Sequence, residues 1–275
     1  MKFAICNEMF EGWELSRTCE FLAGLGYSGM ELTPFTVGAS WPIAEIAWVE
    51  RKVARRTVED AGLEVVGLHW LLGKAEGLGL HVNHPDPDVR RKTADYYLEV
   101  ARLCADVGGK TLAGGSPKQR SVLPGLTCEE AWRLARDTYE SMLADLRKLG
   151  VIFCLEPLGP EETNFINSAA EATRMADEID HPNFQVVLDV KAMATEGQPI
   201  AAIIRANATH LRHFHANDAS RRGPGFGDTD FKPILAALEE VGYDGFVSIE
   251  VFDYAPDPET IARESLQYLR GCIKS

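Results

Sequence analysis

Val151-Ile152-Phe153-Cys154-Leu155-Glu156-Pro157-Leu158-Gly159 is an apolar run of strand length that ends in one carboxylate, a proline and a glycine. Such a run reads as a buried strand that hands a single charge, Glu156, to a loop face. The pattern recurs three times downstream: Phe184 to Leu188 ends in Asp189, His210 to Phe214 in His215, and Phe246 to Ile249 in Glu250. Parallel neighbouring strands would bring these four side chains to one point. Buried carboxylates without partners are costly, so three acids and one imidazole aimed at a common mouth call for a cation. Any one of them alone reads equally well as a solvated strand-end residue; the argument lies in the succession of four. Three oxygens and one nitrogen suit Mn2+, Mg2+ or Co2+ with positions left open, and the lack of a cysteine disfavours structural zinc.

Outward from these strands the chain alternates. Lys2 to Cys6, Met30 to Leu32, Leu63 to His69 and Thr111 to Ala113 read as four earlier strands. Between strands lie helical stretches from about Trp13, Pro42, Asp86, Thr127, Ser168, Pro199, Phe231 and Pro258. Thr127 with Glu130 is a capping box, and Gly26, Gly62 and Gly150 stand where helices stop. For the helix after Pro42, introduced by Ser40 or Trp41, the apolar face is read as Ile46, Val49, Val53 and Val58. Strand and helix in alternation imply parallel strands joined by right-handed crossovers. Chemistry at many strand ends fits a (β/α)8 TIM barrel. A doubly wound nucleotide-binding sheet would want a glycine-rich loop after its first strand, where this chain has Asn7-Glu8-Met9-Phe10. No linker interrupts the pattern, so residues 1–275 are expected to form a single domain.

The net charge of −13 argues against nucleic acid as partner, since binding a phosphate backbone depends on Lys and Arg. No apolar run approaches the roughly 18 residues of a membrane span, and no leader pattern precedes Phe3-Ala4-Ile5-Cys6. The six cysteines lack CxxC spacing and read as reduced thiols of a cytoplasmic protein.

Leu155-Glu156-Pro157-Leu158, Leu188-Asp189, His213-Phe214-His215 with Arg221, and Ser248-Ile249-Glu250-Val251-Phe252-Asp253 together resemble the xylose-isomerase-like sugar isomerase/epimerase superfamily, with the ketose 3-epimerases as the nearest well-known branch. The resemblance implies that Glu156, Asp189, His215 and Glu250 hold one divalent metal ion, Mn2+ foremost. It implies that Glu156 and Glu250 are the acid/base pair on opposite faces of the substrate carbon, that Arg221 holds a substrate oxygen, and that Glu162 buttresses Glu156. It implies a sugar or keto-sugar as substrate, and a homodimer or homotetramer. Physical chemistry agrees with that activity: a metal on a carbonyl and its neighbouring hydroxyl acidifies the adjacent C–H by stabilising the enediolate, and two carboxylates can take and return the proton.

One departure stands out. Epimerases carry a substrate-contacting histidine three residues after the metal-binding aspartate; here the residue is Ala192. Period-two alternation puts Lys191 on the face of Asp189 if the strand continues, as a substitute contact; otherwise it is a surface lysine just past the strand. Ala192 leaves room for a larger substituent, so a lyase or dehydratase acting on a keto-sugar or 3-keto-glycoside is the alternative to epimerisation. An abasic-site endonuclease of the same barrel type is disfavoured by charge and by the absence of extra histidines. His69 and Glu31, at the ends of strands three and two, are candidates to reach the mouth and touch substrate. His81, His84 and His213 are assigned to loops or the alternate face. Gly223-Pro224-Gly225-Phe226-Gly227-Asp228 reads as a flexible loop over the site, and Trp13, Trp41 and Phe35 as core residues able to stack on a sugar.

Overall fold

A computed structural model describes residues 1–38 and 42–273. Eight strands, β1 (Lys2–Cys6), β2 (Gly29–Leu32), β3 (Glu64–Leu68), β4 (Thr111–Gly114), β5 (Ile152–Leu155), β6 (Phe184–Asp189), β7 (Leu211–Ala216) and β8 (Phe246–Ile249), close into one barrel in chain order. Every neighbouring pair is parallel, and β8 returns to β1 with Lys2 opposite Phe246 and Ile5 opposite Ile249. The helices between and after them are α1 (Leu15–Leu25), α2 (Trp48–Asp60), α3 (Pro87–Asp106), α4 (Cys128–Leu149), α5 (Ala169–Ile179), α6 (Val190–Met193), α7 (Ile200–Ala206), α8 (Phe231–Glu240) and α9 (Pro258–Ile273).

Local sequence sets the helix ends. Asp86, Thr127, Ser168 and Asp230 each accept a backbone N–H of the first turn of α3, α4, α5 and α8, satisfying donors that have no partner inside the helix. Gly150 closes α4 at φ 68°, a conformation that costs other residues a Cβ clash.

Alternation along the strands builds two cores. Outward residues join the helices in one apolar layer, in which Phe153 and Phe184 stack with centroids 5.7 Å apart under Tyr139. Burying each such ring contributes about 1.5–3 kcal/mol. Inward residues Ala113, Cys154 and Val187 fill part of the barrel interior. Period two then carries β5, β6, β7 and β8 to Glu156, Asp189, His215 and Glu250 at their C-terminal ends, the end where barrels of this kind keep their sites.

The stretch after Pro42 differs from the reading given above. A single 3-10 turn, Ile43–Glu45, is followed by extended backbone at Ile46, and α2 starts only at Trp48, where Glu50 accepts the Ala47 N–H at 2.8 Å. Val49 and Val53 lie outward, 60% and 58% exposed beside Trp48 at 66%, while Ala54 and Val58 pack inward. The five-residue step from Val53 to Val58 turns about 140° around a helix, so the two cannot share a face. Ser40 and Trp41 lie outside the described residues.

Candidate metal centre and substrate cleft

Glu156, Asp189, His215 and Glu250 meet at the mouth, each buried, with ligand atoms all within 4.8 Å of one another. His215 Nδ1 lies 3.1 Å from Glu250 Oε2 and 3.4 Å from Glu156 Oε1. Nδ1 and Glu250 Oε2 are nevertheless buried without a hydrogen-bond partner. An adjacent buried nitrogen and carboxylate oxygen without hydrogen bonds fit a cation, which would satisfy both. The electrostatics say the same. Burial, Glu156 and Glu250 push the Asp189 carboxyl up to about 7. Burial opposes charge on His215, but Glu250 and Glu31 hold its imidazole well above the ordinary histidine range. A carboxyl pushed up by neighbouring carboxylates, as Asp189 is, is one that a bound cation would relieve. Two smaller groupings share Cys6 with His69 and Glu250 or with Glu31 and His215. Burial and the neighbouring glutamates raise the Cys6 thiol far from ionisation, which leaves the three-carboxylate, one-imidazole set as the best donor group.

Beneath the mouth, Glu31 accepts from His213 Nε2 at 2.8 Å and faces His215 Nε2 at 3.3 Å. Burial would raise its pKa, yet the two imidazoles hold the carboxyl well below the usual range. A carboxylate on Nε2 puts the proton there and leaves Nδ1 free as a donor to a metal. Glu31 is therefore fully buried support under the site, not the substrate contact expected from its strand end. His213 is likewise misassigned by the sequence reading. It lies two residues from His215 on the same inward face, one layer down. Asn217, two residues past His215, donates to Asp189 and accepts the Lys191 N–H at 2.8 Å. The signal for both was period two extended through His215.

Strand β6 stops at Asp189, whose side chain accepts the Ala192 N–H and starts α6. Lys191 thus reaches the site by a helical turn, not by strand alternation. Buried at 5% exposure, its Nζ sits 2.6 Å from Glu162 Oε2 and 4.8 Å from the Phe252 ring. Burial would lower its pKa, but Asp189 and Glu162 raise it. Glu162 is paired with this lysine. Arg221 lies exposed at the cleft rim, 5.6 Å from the Phe252 ring. His69 is buried, its Nε2 2.7 Å from Glu8 Oε2. Burial disfavours the charged ring, but Glu8 pushes it up to about 9. Behind Glu156 the first residue after β4 is a glycine, and a Cβ on Gly115 would stand 2.4 Å from Glu156 Oε2 and displace that carboxylate.

Above these groups opens a cleft of about 930 Å³, lined by residues that follow β1, β2, β3, β4, β5, β7 and β8, among them Glu8, Phe35, Trp70, Glu162, Arg221 and Phe252. Trp13 and Phe35 line it too, although Trp13 also packs on Phe10 and Phe21. Residues 223–228 do not cover it. Gly223 and Gly225 press on Ser265 and Tyr268 of α9, and Gly227 on the Asp218 carboxylate, so this loop is tied to the barrel flank. His81 lies in the loop after β3, its backbone N–H on Thr93, its ring pushed down to about 4 by burial and by His84.

A closed parallel barrel with this centre at its C-terminal mouth defines a class, and the sequence agrees: residues 19–272 match the xylose isomerase-like TIM barrel family, to which the chain belongs. Among its relatives, the D-psicose 3-epimerase of Ruminiclostridium cellulolyticum is 27% identical over 188 residues, a match spanning 68% of this chain and 64% of that protein. The L-ribulose 3-epimerase of Mesorhizobium japonicum is 24% identical over 92% of this chain and 80% of its own length. A solved 3-keto-D-glucoside 4-epimerase from E. coli superposes with a TM-score of 0.84 over 99% of this chain and 100% of its own, at 22% identity.

Proposed function

We propose that this protein is a divalent-metal-dependent isomerase-type enzyme that epimerises a sugar or keto-sugar by moving a proton beside a carbonyl. The observation that carries the reading is the pair of orphaned buried atoms, His215 Nδ1 and Glu250 Oε2, within a cluster of three carboxylates and one imidazole. Glu156, Asp189, His215 and Glu250 would hold the ion; Mn2+ fits the mixed oxygen and nitrogen set best, with Mg2+ and Co2+ as substitutes. When bound, the ion supplies positive charge that makes a C–H next to a carbonyl more acidic.

The chain's own groups do the rest. Glu156 and Glu250 come from β5 and β8, with His215 of β7 between them. One carboxylate takes the proton from carbon and the other returns one from the opposite face, which inverts that carbon. Arg120 donates to the Glu156 and Ile166 carbonyls and so fixes the backbone that presents Glu156. We assign Lys191, held by Glu162, and Arg221, which lines the cleft, as the cations that receive substrate oxygens. Phe252, which lines the cleft, lies near both, its ring 4.8 Å from Lys191 Nζ and 5.6 Å from the Arg221 guanidinium. The reaction would take place in the cytoplasm, on a small-molecule substrate, in a homo-oligomer.

A second reading keeps the same proton removal and follows it by loss of a β-oxygen substituent, whose departing oxygen takes a proton from Lys191. The cleft of about 930 Å³ favours it to the extent that a leaving group must fit. Both readings are tested together by NMR in D2O, with Mg2+-loaded protein and a panel of ketoses and 3-keto-glycosides. Metal-dependent C–H to C–D exchange that Glu156→Gln lowers by about 10²–10⁴-fold is expected. The product, epimer or released alcohol, chooses between them. A bound ketone that never exchanges would sink both.

A further inference from the structure

The cleft wall built by β2 and β3 has a feature that proton transfer does not use. Trp70 follows His69 directly, lines the cleft and stays 42% exposed. Its backbone sits at φ 49°, a left-handed conformation that a bulky side chain rarely adopts. The Gly73 N–H closes the following turn on the Trp70 carbonyl at 2.8 Å. Gly73 also makes room for a second ring, since a Cβ there would lie 3.0 Å from Phe35. The Phe35 and Trp70 centroids are 6.2 Å apart, and Lys74, itself at φ 61°, places Nζ 4.5 Å over Phe35. Two non-glycine residues held left-handed in one turn is a conformation that persists only where its surroundings impose it, and such places cluster at ligand sites.

Its position is as informative as its shape. The His69 ring lies 6.5 Å from His215 and 6.4 Å from Trp70. The aromatic wall is therefore linked to the four-residue centre through one intervening ring, His69. At about 930 Å³ the cleft is near the upper end of the roughly 300–1,000 Å³ that encloses a drug-sized ligand. A cleft of that size has room for more than a single sugar ring seated over Glu156 and Glu250. Lys118 and Gln119, from the loop after β4, line the same cleft and offer polar groups to hydroxyls or a glycosidic oxygen.

We propose that Trp70 and Phe35 form a subsite for a second ring, so that the substrate is a glycoside: its reacting sugar lies at the four-residue centre and its substituent ring stacks on Trp70. The placement of the reacting ring rests on the sugar-isomerase reading; the stacking of the second does not.

The test uses Mg2+-loaded protein with methyl β-D-glucoside, phenyl β-D-glucoside and cellobiose, read by saturation-transfer NMR and Trp fluorescence. Wild type is expected to prefer the two-ring compounds by about tenfold, with the second ring receiving saturation. Trp70→Ala should remove that preference and Trp70→Phe keep most of it. Whether phenyl glucoside or cellobiose binds better tells an aryl from a sugar substituent. Equal affinity of wild type for one-ring and two-ring compounds, or no binding of either, overturns the proposal. So does a Trp70→Phe or Trp70→Ala protein that weakens all three compounds by the same factor; if the alanine variant does not fold, wild type and Trp70→Phe decide. The C3-oxidised forms of the same compounds are then followed for C–H exchange. A preference lost in the Trp70 variants without exchange in any compound leaves the subsite standing and removes the isomerase reading. Exchange without a two-ring preference does the reverse.

Discussion

Strands β5 to β8 each end in a group that leans over one point, Glu156, Asp189, His215 and Glu250, whereas β1 to β4 contribute no member of that set. The first half instead supplies what stands below and around it: Glu31 under the two histidines, Glu8 on His69, Gly115 behind Glu156, and the Trp70–Phe35 wall. One half holds the charge and the other orients, spaces and encloses it. Changes in the second half should therefore remove chemistry, while changes in the first should weaken it by degrees.

The largest effect expected is that of Glu156→Gln on proton exchange, set out above. Glu31→Gln in the opposite half should weaken metal binding or turnover by only about 10–100-fold, the usual cost of losing a partner behind a metal-binding histidine. Calorimetric metal titration measures it. A loss as complete as that of Glu156→Gln would break the division between the halves, and no loss would show that Glu31 orients nothing. Metal removal acts on stability. At an ion concentration of 100 times Kd a bound ion adds about 2.7 kcal/mol, which in a chain of this size corresponds to a melting temperature higher by roughly 5 °C. A chelator scan with no shift would contradict the cation site.

The smallest effect belongs to the flank of the second half. Asp218 is buried and its carboxylate accepts the Ser220 and Thr229 N–H groups. Burial would raise its pKa, but those bonds hold it below the usual value. A carboxyl depressed in the folded state stabilises fully above its unfolded pKa, about 3.9, and the contribution is lost as pH falls through the lower folded value. Asp218→Asn should therefore cost about 1–2 kcal/mol at pH 7, with the gap to wild type closing below about pH 4. Urea denaturation at several pH values checks it, and a gap independent of pH would assign the loss to packing.

The same contrast governs what the sequence could disclose. An apolar run ending in one charge has few explanations, so the barrel and its four converging residues were legible from residue order. Glu31 was not, because what neutralises it, His213 and His215, lies more than a hundred and eighty positions away. Lys191 was assigned to the site for the wrong reason, since Asp189 caps a helical turn where a strand was expected to continue. The outward Val49 and Val53 were misplaced because the break at Ile46 and Ala47 resets the helical phase. Trp70 carries no pattern at all; its meaning comes from a backbone angle and from the ring beside it.

The Glu31–His215 contact also bears on how the chain reaches this state. It joins β2 to β7 through the barrel interior, across a separation of 184 residues. Contacts this remote must wait for slow loop closure. The four side chains that could hold a metal ion come from β5 to β8, so the set is complete only once those last strands have docked.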